Sequence, residues 1–274
     1  MARRSGGREA RKALRSAPLA EDIKPVRPGV RGGLYKPLSD ADIAAIDANI
    51  FRILEEVGFA DATQHCVETC VAVGAVVGDD GRLRMPRAVV ENALQQAEHD
   101  LVLHGQDPAH DLKVHDNRVH FSTAGAAVMI ADSQANAYRE STSQDLYDLA
   151  RIVDNCEHIH MFQRMCVLRD VEDNYAMDLN TTYCAISGTS KHVGASWTDH
   201  QHLEKTLDML HIIAGGEDQW RARPFVSQSN CFVVPPMKFA EEALECLRVA
   251  VEGGMPVLLL SAGQAGATTP ATLA

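Results

Sequence analysis

The stretch KHVGASWTDHQHLEKTLDMLHIIAGGEDQWRARPFVSQSNCFVV, residues 191–234, contains one whole unit of a repeating pattern. KHVGASW (191–197) reads as a short apolar strand. Thr198 is placed to cap a helix whose face is Leu203, Leu207 and Leu210, and Gly215-Gly216 ends it. PFVSQSNCFVV (224–234) follows as the next strand. Strand, loop and helix repeating at a spacing of about 30 residues imply parallel strands joined by right-handed crossovers. The pattern runs on in both directions. Upstream, HIHMFQRMCVL (158–168) precedes a helical stretch at 173–187; downstream, a helix from Met237 to Glu252 ends at Gly253-Gly254 and leads to MPVLLLS (255–261).

An open doubly wound sheet and a closed (β/α)8 barrel share this signature. No G-x-G-x-x-G follows the first strand, which weakens a dinucleotide site. In both architectures function sits at the carboxyl ends of the strands. With a first strand near 118–123, the chain holds about five strands, whereas a closed barrel needs eight. After the last strand comes a glycine-spaced loop (Gly263, Gly266) and then Thr-Thr-Pro, a helix opening, at which the sequence stops. The expectation is a chain truncated as a helix begins.

The amino-terminal third has another texture. Ser39-Asp-Ala-Asp42 resembles a capping box, Ile43, Ile46, Ile50, Ile53, Leu54 and Val57 recur at helical spacing, and Gly58 is a natural stop. A short helix over 63–73 and a third from Pro86 follow, so 37–99 reads as a helical cap. LVLHG (101–105), LKVHD (112–116) and RVHFST (118–123) alternate as small strands do. Residues 100–274 are the barrel-like part.

Composition bounds the function. At 274 residues, 46% hydrophobic and 23% charged, the chain is an ordinary globular one with no membrane-spanning run and no secretory signal. Its seven cysteines sit mostly in apolar contexts, as reduced cytoplasmic thiols do. The net charge of −11 hides an asymmetry: residues 1–36 carry ten Lys/Arg against three acids, leaving 16 basic and 34 acidic residues in the remainder. The arm (1–36) reads as disordered and lying along its own acidic body. Nothing after residue 36 continues the basic pattern, which argues against nucleic acid as the main partner.

Several stretches together resemble the trimethylamine methyltransferase family, with and without pyrrolysine. They are GGLYKPLSDADIAAIDANIFRILEEVGF (32–59), VHFSTAGAAVMIAD (119–132), STSQDLYDLARIVDN (141–155), the segment at Val167–Asp170, and SAGQAGATTPATLA (261–274). The resemblance implies a (β/α)8 TIM-type barrel, of which this chain would be the amino-terminal portion. It also implies transfer of a methyl group from a methylated amine, such as trimethylamine or glycine betaine, to a separate corrinoid protein. No cofactor is then bound directly: the cobalt corrinoid belongs to the partner. The family's pyrrolysine would lie beyond residue 274.

That chemistry sets what residues must do. From a quaternary ammonium the leaving amine departs neutral, so the protein needs only to hold the cation, align one methyl and exclude water. An aromatic face suits the cation. Trp197 ends the KHVGASW strand and Asp170 follows the 158–168 strand, both on the expected rim. Asn230 is polar in an apolar strand, and Ser261 and Gln264 precede a helix start whose free N–H groups favour a carboxylate. These five are the candidate substrate-binding residues, each with a structural alternative in packing, loop bonding or turn formation.

No metal site is assigned among the twelve histidines, because none, His65-Cys-x3-Cys70 included, has the paired spacing of a zinc site. No G-x-S-x-G elbow is present. Other readings are a barrel lyase or aldolase, for which Lys191 stands at the wrong strand end, and an inactive or interaction-only fragment, or a homo-oligomer, paired through an exposed sheet edge. Alone, the chain is expected to be poorly stable and without transfer activity.

Overall fold

The computed structural model describes residues 30–115, 117–261 and 263. The chain forms a mixed α/β fold. Helix α1 (Asp40–Arg52) begins at a capping box in which Ser39 and Asp42 bond reciprocally. It passes into a π-turn, Ile53–Val57, that ends at Gly58. Gly58 has φ +67°, and a Cβ there would collide with the Leu83 carbonyl, so only glycine fits. The apolar stripe of α1 is not buried: Ile43, Ile46 and Ile50 are each about half exposed.

Helix α2 (Gln64–Ala72) is capped by Thr63, and α3 (Arg87–Gln96) starts directly after Pro86. A hairpin between them, Val76–Val77 with Leu83–Arg84, buries Leu83 fully beside Phe239 and Leu244. Arg82 ties the block down by donating to the carbonyls of Val57, Gly58 and Met237.

The central sheet holds β1 (Met161–Gln163), β2 (His192–Ala195), β3 (Val226–Val234), β4 (Lys238–Phe239) and β5 (Val257–Ser261). Strands β1, β2, β3 and β5 are parallel neighbours in chain order. The short β4 pairs antiparallel with the end of β3. A fifth parallel segment lies outside β1, bridging at Ser122–Met161 and Ala127–Cys166. The expectation of a first strand near 118–123 holds at Ser122, while Arg118–Val119 pairs antiparallel with Val30–Arg31. The row never reverses its order, unlike a doubly wound sheet. Among the described residues no ladder joins its first strand to its last, and barrel closure is not seen.

Helices α4 (Ser143–Asp154), α5 (Asn174–Gly188), α6 (His200–Ala214), α7 (Glu217–Ala222) and α8 (Glu241–Glu252) alternate with the strands. α6 is capped by Asp199, one residue after the expected Thr198, because the Thr198 hydroxyl is spent on Asp178. α8 begins later than expected, as Lys238–Phe239 take part in β4.

Alternation of side chains sorts the sheet into two faces. Phe162, Val193 and Val226 form one cross-strand row, each 0% exposed, and pack with Leu146, Leu203 and Leu210 of the helices. The next row, Gln163, Gly194 and Ser227, faces the other way. At the amino ends of the strands, a hairpin of Leu101–Leu103 and Leu112–Val114 is tied on by Arg223 to both oxygens of Asp111, at 2.8 and 3.0 Å. Lys191 is buried there, donating to the carbonyls of Val153, Cys156 and Ile159 at 2.6–2.8 Å. Its ammonium is fully engaged, which leaves no free amine for a Schiff base. Among the described residues no helix is long and apolar enough to cross a membrane.

Candidate functional site

The face of the sheet turned away from the helices borders a cavity of about 540 Å³. Its polar lining comes from His120, Ser122, Thr123 and Gln163 and from Ser227 and Ser229, two positions apart on β3. Phe121 adds an aromatic ring that is 55% exposed, and Met161, Leu258 and Leu260 add apolar surface. Thr123 is locked to β1: its hydroxyl donates to the Gln163 carbonyl at 2.7 Å and accepts from the Gln163 amide at 2.8 Å. His160, behind Phe121, accepts the Phe121 amide on Nδ1 at 3.0 Å, so its other nitrogen carries the proton. Among the described residues no Asp, Glu, Lys or Arg lines the cavity.

A second constellation stands at the carboxyl ends of β1 and β2. Asp178, on α5, is 0% exposed. Its Oδ2 accepts from the Thr198 amide (2.9 Å), the Thr198 hydroxyl (2.8 Å) and His202 Nδ1 (2.8 Å). Its Oδ1 is buried with no hydrogen-bond partner among the described residues. The guanidinium of Arg164, desolvated so that its pKa falls, feels this carboxylate, which opposes the fall. Tyr175 meets the His202 ring edge-on at 5.3 Å. The arrangement fixes the β2–α6 turn and sets the tautomer of His202, with Nδ1 as donor.

Beside it, His200 Nδ1 lies 3.1 Å from Glu242 and 3.7 Å from Asp199. Its pKa is raised, first by the bond to Glu242. These three groups are near enough to share a cation, but Asp199 is already the cap of α6. Acids at helix starts are ordinary, and no ion is assigned here.

The residues anticipated from sequence fall in several places. Trp197 is 4% exposed in the main core, with its indole N–H donating to Thr206 at 3.0 Å. Asp170 is exposed and accepts from the Ser143 amide and hydroxyl at 2.9 and 2.7 Å, bracing the start of α4. Asn230 pairs in register with Leu259, and by alternation shares the helix-side face with Gln228. Ser261 pairs with Val233 at the end of β5, and Gln264 lies outside the described residues. Trp197, Asp170 and Asn230 are not among the described lining of the cavity. Sequence reading passed over Asp178, Gln163, Ser227 and Ser229, and weighed His200 and His202 only as histidines without metal-site spacing. A signal for the first existed: Asp178, Thr181 and Thr182 put polar groups at helical spacing on the buried face of α5.

Parallel strands in chain order, alternating with helices and carrying polar groups at their carboxyl ends, define an α/β protein of the βα-repeat class. Within that class, residues 4–274 match the family model for trimethylamine methyltransferase (MTTB). The chain belongs to the trimethylamine methyltransferase family. It is similar to a trimethylamine methyltransferase of Desulfitobacterium hafniense strain DCB-2, 31% identical over 86% of this chain and 47% of that protein. A glycine betaine methyltransferase of D. hafniense strain Y51 is 26% identical over 88% of this chain and 50% of its own length. A trimethylamine methyltransferase of Methanosarcina mazei is 28% identical over 70% of this chain and 39% of its own length. The chain thus spans about half the length, or less, of the curated relatives it matches.

Proposed function

We propose that this chain serves a methyltransferase that takes a methyl group from a methylated amine and passes it to a corrinoid protein. The observation that carries the reading is the family match over residues 4–274. In this reading the parallel row is one part of a (β/α)8 barrel, and further strands complete it. The cobalt is the partner's and supplies the nucleophile that accepts the methyl group. The residues of this chain bind the amine, orient one N–CH3 and keep water away.

The cavity chemistry supports a quaternary ammonium more than a primary or secondary amine. A cation without N–H groups has nothing to donate to a carboxylate. It is held instead by an aromatic ring and by oxygen dipoles. Phe121, Thr123, Gln163, Ser227 and Ser229 offer those, with no Asp, Glu, Lys or Arg among the described lining. Trp197 and Asp170 then act as positioning residues for the rim, and Asn230 as a sheet residue.

Calorimetric titration tests this. Tetramethylammonium, trimethylammonium or glycine betaine should bind at one site, and 3,3-dimethylbutanoate, the carbon isostere of glycine betaine without its positive charge, at least ten-fold more weakly than the betaine. Equal affinity for cation and isostere would remove the reading. An interaction-only role is the second reading. It is favoured by Leu258 and Leu259 of β5, which are 48% and 62% exposed.

A further inference from the structure

Helix α2 carries Cys66 and Cys70, four residues apart and therefore on one face. Both thiols are free and half-buried, and both open into a groove of about 230 Å³ between α2 and α8. Thr63 caps the helix at one end of the groove, and Leu244, Leu247 and Arg248 of α8 form the opposite wall. Nothing in the proposed methyl transfer uses this place, which involves neither the cavity nor the rim.

We propose that Cys66 and Cys70 form a two-sulfur site for a soft, univalent d10 cation, copper(I) being the probe. The donor set decides the class of metal. Thiolates select soft cations. Zinc wants four ligands, and the only cluster of three or more His, Cys, Asp or Glu donors among the described residues is Asp199, His200 and Glu242. His65, next in sequence, has its Nε2 at 3.5 Å from Thr69. Two sulfurs without a third donor suit a cation content with near-linear coordination.

The thiols are prepared for it. A hydrogen bond from Cys66 pulls the Cys70 thiol below its ordinary value, which favours its thiolate. The same bond, and then burial, pushes Cys66 up. On binding, both sulfurs end as thiolates: one proton leaves Cys66 when Cys70 is already a thiolate, two leave when both are thiols, and no electron is transferred.

The test uses reduced protein under anaerobic conditions with copper(I) buffered by a bathocuproine chelator. One equivalent should be withdrawn from the chelator. Cys66→Ser and Cys70→Ser should each weaken uptake at least a hundred-fold, while Cys231→Ser, at an exposed cysteine, leaves it unchanged. No uptake, or uptake indifferent to the first two substitutions, would overturn the site. Should a variant fail to fold, alkylation of the wild-type chain decides. Copper(I) must shield Cys66 and Cys70 together and leave Cys231 reactive; shielding of Cys231 alone contradicts the proposal.

Discussion

Single groups in this chain show how burial and bonding set charge. His192 is 0% exposed, with Nδ1 on the His104 carbonyl at 2.7 Å and Nε2 unpartnered among the described residues. Burial pushes its pKa down to about 4 from an ordinary 6.5. The folded state therefore keeps His192 neutral where the unfolded chain protonates. Its effect is nil above pH 6.5, and it costs stability progressively as pH falls to about 4, by roughly 3 kcal/mol in all. Denaturant unfolding of the wild type and of His192→Gln between pH 7 and pH 4 should differ in slope by up to about one proton; parallel curves would refute this. Asp170 gives a second case. Its bonds to Ser143 predict that Asp170→Ala lowers unfolding free energy by about 1 kcal/mol. If Asp170 only positions the rim, the cation affinity of the variant stays within about two-fold of wild type.

At the scale of elements, the βα units were legible because their strands are short apolar runs closed by glycine or proline. Gly215, at φ +91°, and Gly253 end helices where the sequence said they would. The row Phe162, Val193 and Val226 follows from the same pattern, and its energetics can be checked. Phe162→Ala should cost about 3–5 kcal/mol, read as a shifted denaturation midpoint, since the helices above cannot collapse fully into the gap. Less was legible where distant segments decide. Helix α4 shows a capping box, Thr142 with Asp145, yet it stood in the sequence only as part of a family resemblance. The isoleucine stripe of α1 reads as a core face but remains half exposed. Trp197 reads as a rim aromatic because strand position is visible in sequence, whereas the Thr206 hydroxyl that takes its N–H lies nine residues on, in the second turn of α6. The cavity residues were missed for a related reason. Serines at 227 and 229 look like weak points in an apolar strand until the pleat puts both on one face.

For the whole molecule, the parallel row brings the carboxyl ends of β1, β2 and β3 to one side, where Asp178, His200, His202 and Glu242 gather. The helix-free face holds the aromatic-edged cavity, free of Asp, Glu, Lys and Arg among its described lining. The central claim is that a methylated ammonium binds in that cavity and not at the charged rim. Intermolecular nuclear Overhauser effects from the N-methyl protons of bound glycine betaine test it most directly. The account predicts contacts to the Phe121 ring and to the methyl groups of Met161, Leu258 and Leu260. Contacts confined to Tyr175, His200 and His202, or none to the cavity residues at saturating ligand, would contradict it.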